Sequence, residues 1–125
     1  MFSLFLVMLG GAFGSGARYL TGVAMLRLCG PGYPFGTLTV NLVGGLVMGL
    51  LVGILARLSV PGDNWRLLLG VGVLGGYTTF SSFSLDVVNM LQRGDPATAM
   101  GYILISVIGS VAALFAGLAL VRVAA

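Results

Sequence analysis

The sequence of 125 residues contains no histidine, lysine or glutamate, and only three aspartates. Hydrolytic sites and transition-metal sites are built mainly from such side chains, so neither kind of site is expected here. Cys29 is the one cysteine, which excludes an intramolecular disulfide and a cysteine metal site. The six arginines are spread along the chain, so a nucleic-acid surface is not expected either. These absences predict a protein that is not an enzyme.

Charged residues make up only 7% of the chain, and 58% of it is hydrophobic. A soluble surface would need roughly a quarter of charged residues, so the composition predicts an all-α integral membrane protein. Four apolar segments are visible, and each is long enough to span roughly 30 Å of hydrocarbon. They cover about residues 2–28, 35–58, 65–92 and 97–123. The loops between them are short, which predicts a single domain over residues 1–125.

The loops carry signals for helix starts. In the loop at 59–64, Asp63 is predicted to cap the third helix. In the loop at 93–96, Asp95 followed by Pro96 is typical of an N-cap and a first helical residue.

Small residues recur every four positions in three of the segments. Such rows let helices approach closely in lipid, where packing supplies the association energy, so we expect them at helix contacts. The rows are Gly10 and Gly14; Gly45, Gly49 and Gly53; and Gly109, Ala113 and Gly117.

The least expected stretch is GGYTTFSSFS at residues 75–84, inside the third apolar segment. Adjacent glycines and β-branched threonines weaken a helix and leave carbonyl groups without partners. Non-helical backbone survives in a membrane only where protein buries it or where it lines a polar cavity. We therefore predict a broken third helix, with the break at residues 75–79. The alternative is a softened packing contact whose hydroxyls bond back to their own helix.

The polar side chains inside the segments lead from the surface at the first and third loops to the bilayer centre and then stop. They are Arg18, Asn41, Asp86, Asn89, Tyr102, Ser106 and Ser110. The other half of each span is almost wholly apolar. A second, inverted subunit would supply the missing half of such a track, as in transporters built from inverted units.

The arginines leave the orientation of the chain almost undecided. Arg27 and Arg93 flank the first and third loops, whereas Arg57, Arg66 and Arg122 lie on the other side. Because arginine bias sets orientation, this near-balance predicts insertion in both directions and an antiparallel homodimer.

Three residues point to the permeating species. Arg18 is the only deep cation, and it is expected either to pair with Asp86 or to face a watery vestibule, which would favour an anion. Phe80 and Phe83 share one helix face, and their electron-poor ring edges suit a small anion, although plain packing is the alternative. Hydroxyl and amide donors nearby suit an anion that must replace its hydration.

Three segments together resemble the signatures of the Fluc/CrcB family of small fluoride channels. They are GGAFGSGARY at 10–19, GTLTVNLVG at 36–44 and GGYTTFSSF at 75–83. The resemblance covers nearly the whole chain. It implies a passive fluoride-selective channel in a bacterial inner membrane, in which a multi-pass, dual-topology dimer encloses two pores and lets cytoplasmic fluoride leave.

The resemblance also implies roles for individual residues. Structural Na⁺ at the dimer centre would be bound by the backbone carbonyls of Gly75 and Thr78 from both subunits. Arg18 would lie near the vestibule. The fluoride path would be lined by Asn41, Phe80, Ser81, Phe83, Tyr102 and Ser110. Leu114, one turn after Ser110, departs from the pattern because a hydroxyl would continue the track there.

Three other functions are weighed against the channel. A small dual-topology multidrug or cation transporter needs an intramembrane acid, and Asp86 lies towards a helix end. A cation channel would use GGYTT as a carbonyl filter, which requires fourfold symmetry and a longer ladder. A packing subunit without transport would explain the small-residue rows alone.

Overall fold

The computed structural model describes residues 1–59 and 62–124, and all of its elements are helical. Residues 60 and 61, in the predicted loop at 59–64, lie outside the described residues. In chain order the elements are α1 (Phe2–Cys29), α2 (Phe35–Leu58), α3 (Asp63–Trp65), a π-helical segment (Arg66–Leu74), α4 (Gly75–Tyr77), α5 (Phe80–Gln92) and α6 (Pro96–Val123).

Four helical runs are long and apolar enough to cross a membrane, which confirms the four predicted spans.

The third run, Asp63–Gln92, joins α3, the π-helical segment, α4 and α5. Within it, Thr78 and Thr79 have extended backbone, with φ/ψ of −80°/160° and −152°/121°. The glycines before them are helical, so the non-helical backbone is narrower than the predicted 75–79. We call Thr78 and Thr79 the interruption.

The two predicted caps have different outcomes. The Asp95 carboxylate accepts a hydrogen bond from the Thr98 N–H at 3.3 Å, with Pro96 as the first helical residue, as predicted. Hydrogen bonding by the Thr98 side chain and, next, by its backbone N–H lowers the pKa of the Asp95 carboxyl. The prediction for Asp63 is wrong. The helix begins at Asp63 itself, so its carboxylate lies in the first turn and contacts Arg66 Nη2 at 3.6 Å.

The predicted glycine rows lie at helix contacts. On α1, a Cβ added to Gly14 would overlap the Val73 carbonyl oxygen and come within 3.0 Å of the Tyr77 nitrogen. On α2, a Cβ added to Gly49 would overlap the Leu114 carbonyl oxygen and lie 3.1 Å from the Gly117 Cα. In both contacts backbone meets backbone, which maximises dispersion attraction where lipid offers no hydrophobic drive.

Packing divides the molecule into two pairs. α1 packs along the π-helical segment and α4, whereas α2 packs most extensively along α6. α5 makes fewer contacts, chiefly with α6, through a buried cluster of Phe83, Met90, Ala99 and Tyr102 at the first-loop end. Because α5 makes few contacts with α2 and α6, a groove remains beside the interruption.

Candidate functional site

A groove of about 410 Å³ lies between α2, the interruption with the start of α5, and α6. It brings together five of the residues predicted for ion sites: Asn41, Thr78, Phe80, Phe83 and Ser110. Gly44, Gly45, Thr79, Ser106 and Leu114 also line it. Tyr102, Ser81, Arg18 and Gly75 are not part of its lining. The residues predicted for the ion sites therefore do not form one site in this chain: some line the groove, and the others lie outside it.

The Asn41 side chain holds the interruption in place. Its Nδ2 donates to the Thr79 carbonyl oxygen at 3.1 Å, and its Oδ1 accepts from the Thr79 N–H at 2.9 Å. A peptide group outside a helix needs such partners when it is buried. Asn41 thus accepts the bond that the Thr79 N–H would otherwise make within a helix, and it adds a donor to the Thr79 carbonyl.

This pairing affects the carbonyl of Gly75. In a continuous α-helix the Thr79 N–H would donate to the carbonyl four residues earlier, at Gly75. Here the last bond of that register joins the Thr78 N–H to the Leu74 carbonyl at 3.0 Å, and the Thr79 N–H goes to Asn41 instead. The Gly75 carbonyl therefore lacks the N–H donor that it would have in a continuous helix. Gly75 itself is exposed.

Hydroxyl groups cap the start of α5. Thr79 Oγ1 accepts from the Ser82 N–H at 3.1 Å, and Ser81 Oγ lies 3.3 Å from the same oxygen. Ser81 is therefore next to the cap and outside the groove lining. The N-terminus of α5, with its partial positive charge, faces the groove at Thr79 and Phe80.

Aromatic rings form a connected row from the groove towards the first loop. Phe80 is 76% exposed and Phe83 is 8% exposed, and their ring centroids lie 5.4 Å apart at 40°. Phe83 contacts Tyr102 at 5.3 Å, and Tyr102 meets Tyr33 edge-on at 5.6 Å. Phe83 is thus fixed on two sides, whereas Phe80 extends away from the chain.

Tyr102 is fully buried, and its hydroxyl donates to Asp86 Oδ2 at 2.9 Å. One turn further, Ser106 lines the groove; its Oγ is buried and has no hydrogen-bond partner among the described residues. Ser110 and Leu114 follow at the same helical spacing. The hydroxyl row of α6 therefore passes from the buried cluster into the groove and ends at Leu114.

Arg18 lies in a separate cleft of about 240 Å³, lined also by Ser15, Tyr19, Thr37, Thr79 and Ser82. Among residues 1–59 and 62–124, the only salt bridge joins Asp63 and Arg66, so the alternative of an Arg18–Asp86 pair is not observed. Asp86 instead lines a vestibule of about 420 Å³ at the first-loop end, with Asn89 and Arg93. The cleft and the vestibule share Gly22, Gly36 and Thr37.

A hydroxyl pair fastens α4 to α1. Thr21 Oγ1 donates to the Ala17 carbonyl oxygen at 2.9 Å, which uses its single hydrogen. The Tyr77 hydroxyl, 2.9 Å away, is then the donor to Thr21 Oγ1. Together with Asn41 on α2, this bond holds the interruption from both sides.

In the described part of the chain, no three His, Cys, Asp or Glu side chains come together as a metal site. A cation near the interruption would have to be bound by neutral oxygen atoms, which hard cations accept. The neutral oxygens at the interruption are its backbone carbonyls and the hydroxyls of Thr78 and Thr79.

Sequence reasoning missed the structural role of Asn41 and did not assign Thr79 to the ion path. It placed Ser106 on the polar track but not among the residues assigned to the fluoride path. For Ser106 a signal was present, because it continues the four-residue spacing from Tyr102 to Ser110. The pairing of Asn41 with Thr79 joins positions 38 residues apart, and nothing in local spacing marks it.

Comparisons with known proteins agree with each other. Residues 5–118 match the family model described as CrcB-like protein, Camphor Resistance (CrcB). The fluoride-specific ion channel FluC of Sphingopyxis alaskensis is 53% identical over 122 residues, 98% of this chain and 97% of that protein. FluC of Caulobacter vibrioides is 54% identical over 123 residues, 98% and 97% of the two chains. FluC of Agrobacterium fabrum is 53% identical over 122 residues, 98% of each.

Proposed function

Because the match covers almost the whole chain, the protein belongs to the CrcB family, and we propose that it is a passive fluoride-selective channel. It is a multi-pass protein of the bacterial inner membrane and not an enzyme. The observation that carries the proposal is the groove beside the interruption. There a buried hydroxyl with no partner among the described residues, Ser106, lies with the amide of Asn41 and the ring of Phe83.

Fluoride entering the groove must exchange its hydration for protein donors. Asn41 Nδ2 carries two hydrogens, of which Thr79 uses one, and Ser106 and Ser110 each carry one. Ring edges of Phe80 and Phe83 add weak electrostatic attraction. A row of several modest sites suits conduction, because the ion must enter each site and also leave it.

Fluoride would leave the cell passively, down its electrochemical gradient. A membrane potential that is negative inside favours anion exit by about 2.3 kcal/mol per 100 mV. The vestibule at the first-loop end, with Arg18 in the adjoining cleft and Arg93 in its lining, would attract the anion from water. The channel therefore serves fluoride resistance by letting cytoplasmic fluoride escape.

The functional unit in this proposal is an antiparallel homodimer with two pores. Phe80, in the groove lining, and Gly75, just before the interruption, are both exposed. A partner related by an axis in the membrane plane would cover both residues and extend the polar row beyond Leu114. The nearly balanced arginines on the two sides agree with insertion in both orientations.

We assign the carbonyls of Gly75 and Thr78 as ligands for structural Na⁺ at the dimer centre. The residues fit this role on two grounds. Asn41 takes the donor that the Gly75 carbonyl would otherwise have, and the extended backbone of Thr78 turns its carbonyl out of the helical direction. The bound ion would link the interruptions of the two subunits, and it would need no carboxylate ligand, because hard cations accept neutral oxygen atoms.

Fluoride efflux from proteoliposomes tests the proposal. Vesicles loaded with fluoride should lose it at a rate proportional to protein content, and vesicles loaded with chloride should not lose chloride. Replacing Na⁺ by N-methylglucamine throughout should lower the fluoride rate. Equal chloride and fluoride rates would contradict selectivity. Drug-driven proton flux without fluoride flux would favour the multidrug transporter, in which Asp86 would exchange protons.

A further inference from the structure

The hydrogen bonds of Asn41 connect the two ion sites described above. Its Oδ1 accepts from the Thr79 N–H at 2.9 Å, and the same N–H would belong to the Gly75 carbonyl in a continuous helix. Its Nδ2 donates to the Thr79 carbonyl at 3.1 Å and keeps a second hydrogen. Asn41 also lines the groove. The Asn41 amide therefore affects the Gly75 carbonyl, the proposed cation ligand, through Oδ1, and it faces the proposed anion path through Nδ2.

We propose that Asn41 is a positioning residue that couples cation binding at the interruption to fluoride binding in the groove. This inference rests on the proposed function and deepens it. Oδ1 keeps the Gly75 carbonyl available for Na⁺ by holding the competing donor. Nδ2, whose orientation is fixed because both ends of the amide bond to the backbone of Thr79, presents its remaining hydrogen to the anion.

Coupling of this kind is reciprocal. Na⁺ that binds the Gly75 and Thr78 carbonyls stabilises the extended backbone of the interruption, and that backbone is what orients the Asn41 amide. Fluoride should then raise the affinity for Na⁺ by the same factor by which Na⁺ raises the affinity for fluoride. A cation site that only joined two subunits would show no such dependence.

The test measures Na⁺ binding without any transport. The purified dimer is unfolded by heat at constant ionic strength while Na⁺ replaces N-methylglucamine, and the Na⁺ concentration that gives half of the stabilisation is recorded. The proteins are the wild type, Asn41→Leu, Asn41→Asp and Asn64→Leu. Asn64 is an exposed asparagine in α3 and serves as the matched control.

Asn41→Leu removes the acceptor, so the Thr79 N–H returns to the Gly75 carbonyl. The Na⁺ midpoint should rise about tenfold, the equivalent of roughly one hydrogen bond, and added fluoride should no longer shift it. Asn41→Asp keeps the acceptor. Its Na⁺ midpoint should stay equal to or below that of the wild type, while fluoride efflux falls at least about tenfold because a carboxylate repels the anion. Asn64→Leu should match the wild type.

The outcomes distinguish a failure of the proposed coupling through Asn41 from a failure of the proposed Na⁺ site. A wild type with no Na⁺-dependent stabilisation removes the cation site, and the coupling with it. If the wild type responds to Na⁺ and Asn41→Leu responds equally, the coupling alone is wrong. If Asn41→Leu does not fold, Asn41→Asp decides: a midpoint raised tenfold would contradict the acceptor role, and an unchanged one with lost fluoride efflux supports it.

Discussion

Two regions border the third helical run, and they are built in opposite ways. Along α1, the π-helical segment and α4 approach so closely that a Cβ on Gly14 would overlap a backbone oxygen. Along α2 and α6, α5 leaves a groove of about 410 Å³. The first region, which we call the closed seam, has glycine at the contact. The groove has rings and hydroxyls. The comparison teaches that glycine lets backbones meet and close one face of the run, whereas aromatic rings and hydroxyl side chains border an open groove on the other.

The largest effect is expected at the closed seam, from Gly14→Ala. The added methyl group meets the Val73 backbone, which has no room to move, and overpacking of this kind costs about 1–3 kcal/mol or more. We expect little folded protein after purification, measured by gel filtration in detergent. Gly16→Ala, on the same helix, is the control, since its Cβ would meet nothing within 4 Å. Equal yields of both variants would show that the seam is not closed.

In the groove, the largest effect is expected from Phe83→Ile. Isoleucine fills a similar space but has no electron-poor edge, so fluoride efflux should fall at least about tenfold while the protein stays folded. Phe115→Ile, an exposed ring on α6, should leave efflux unchanged. Undiminished efflux in Phe83→Ile would show that the Phe83 ring has only a packing role. The groove would then differ less from the closed seam.

A smaller loss is expected from Ser106→Ala. The hydroxyl has no partner among the described residues, so its removal breaks no internal hydrogen bond and should not lower the thermal stability. If the hydroxyl donates to fluoride, the rate of efflux should fall by about fivefold, as expected for one hydrogen bond. Ser3→Ala, at the exposed N-terminal end, is the control. A lower melting temperature without loss of efflux would assign Ser106 a structural role.

The smallest effect is expected from Leu114→Thr, where the hydroxyl row of α6 ends. Leu114 lines the groove one turn beyond Ser110, so a threonine there would continue the row. Fluoride efflux should increase by about twofold, which corresponds to a fraction of one hydrogen bond. A decrease would show that the groove needs an apolar boundary at this position.

The sequence predicted the closed seam better than the groove. The spacing of Gly10 and Gly14 is a local, periodic signal, and the helix ends follow from composition and from caps such as Asp95. The start of α3 was misjudged, because Asp63 pairs with Arg66 instead of capping. Caps and ion pairs compete for the same carboxylate, and sequence alone does not decide between them.

The groove depends on contacts between distant positions, which explains why its details were harder to predict. The pairing of Asn41 with the Thr79 peptide and the bond from Tyr102 to Asp86 each join separate helices. The family resemblance implies that Tyr102 and Ser81 line the ion path. The structure places Tyr102 in the buried cluster and Ser81 beside the Thr79 cap, so neither is in the groove lining of this chain. Composition identifies which donors exist, whereas packing decides which of them face the cavity.

The central claim is that fluoride occupies the groove. Solid-state NMR of the protein in lipid, loaded with fluoride and labelled with ¹⁵N at asparagine and ¹³C at the phenylalanine rings, measures this directly. We predict a bound-fluoride ¹⁹F signal with dipolar couplings to the side-chain nitrogen of Asn41 and to the ring of Phe83, each lost in its own variant. A bound-fluoride signal with couplings to neither residue, in protein that still conducts fluoride, would contradict the claim.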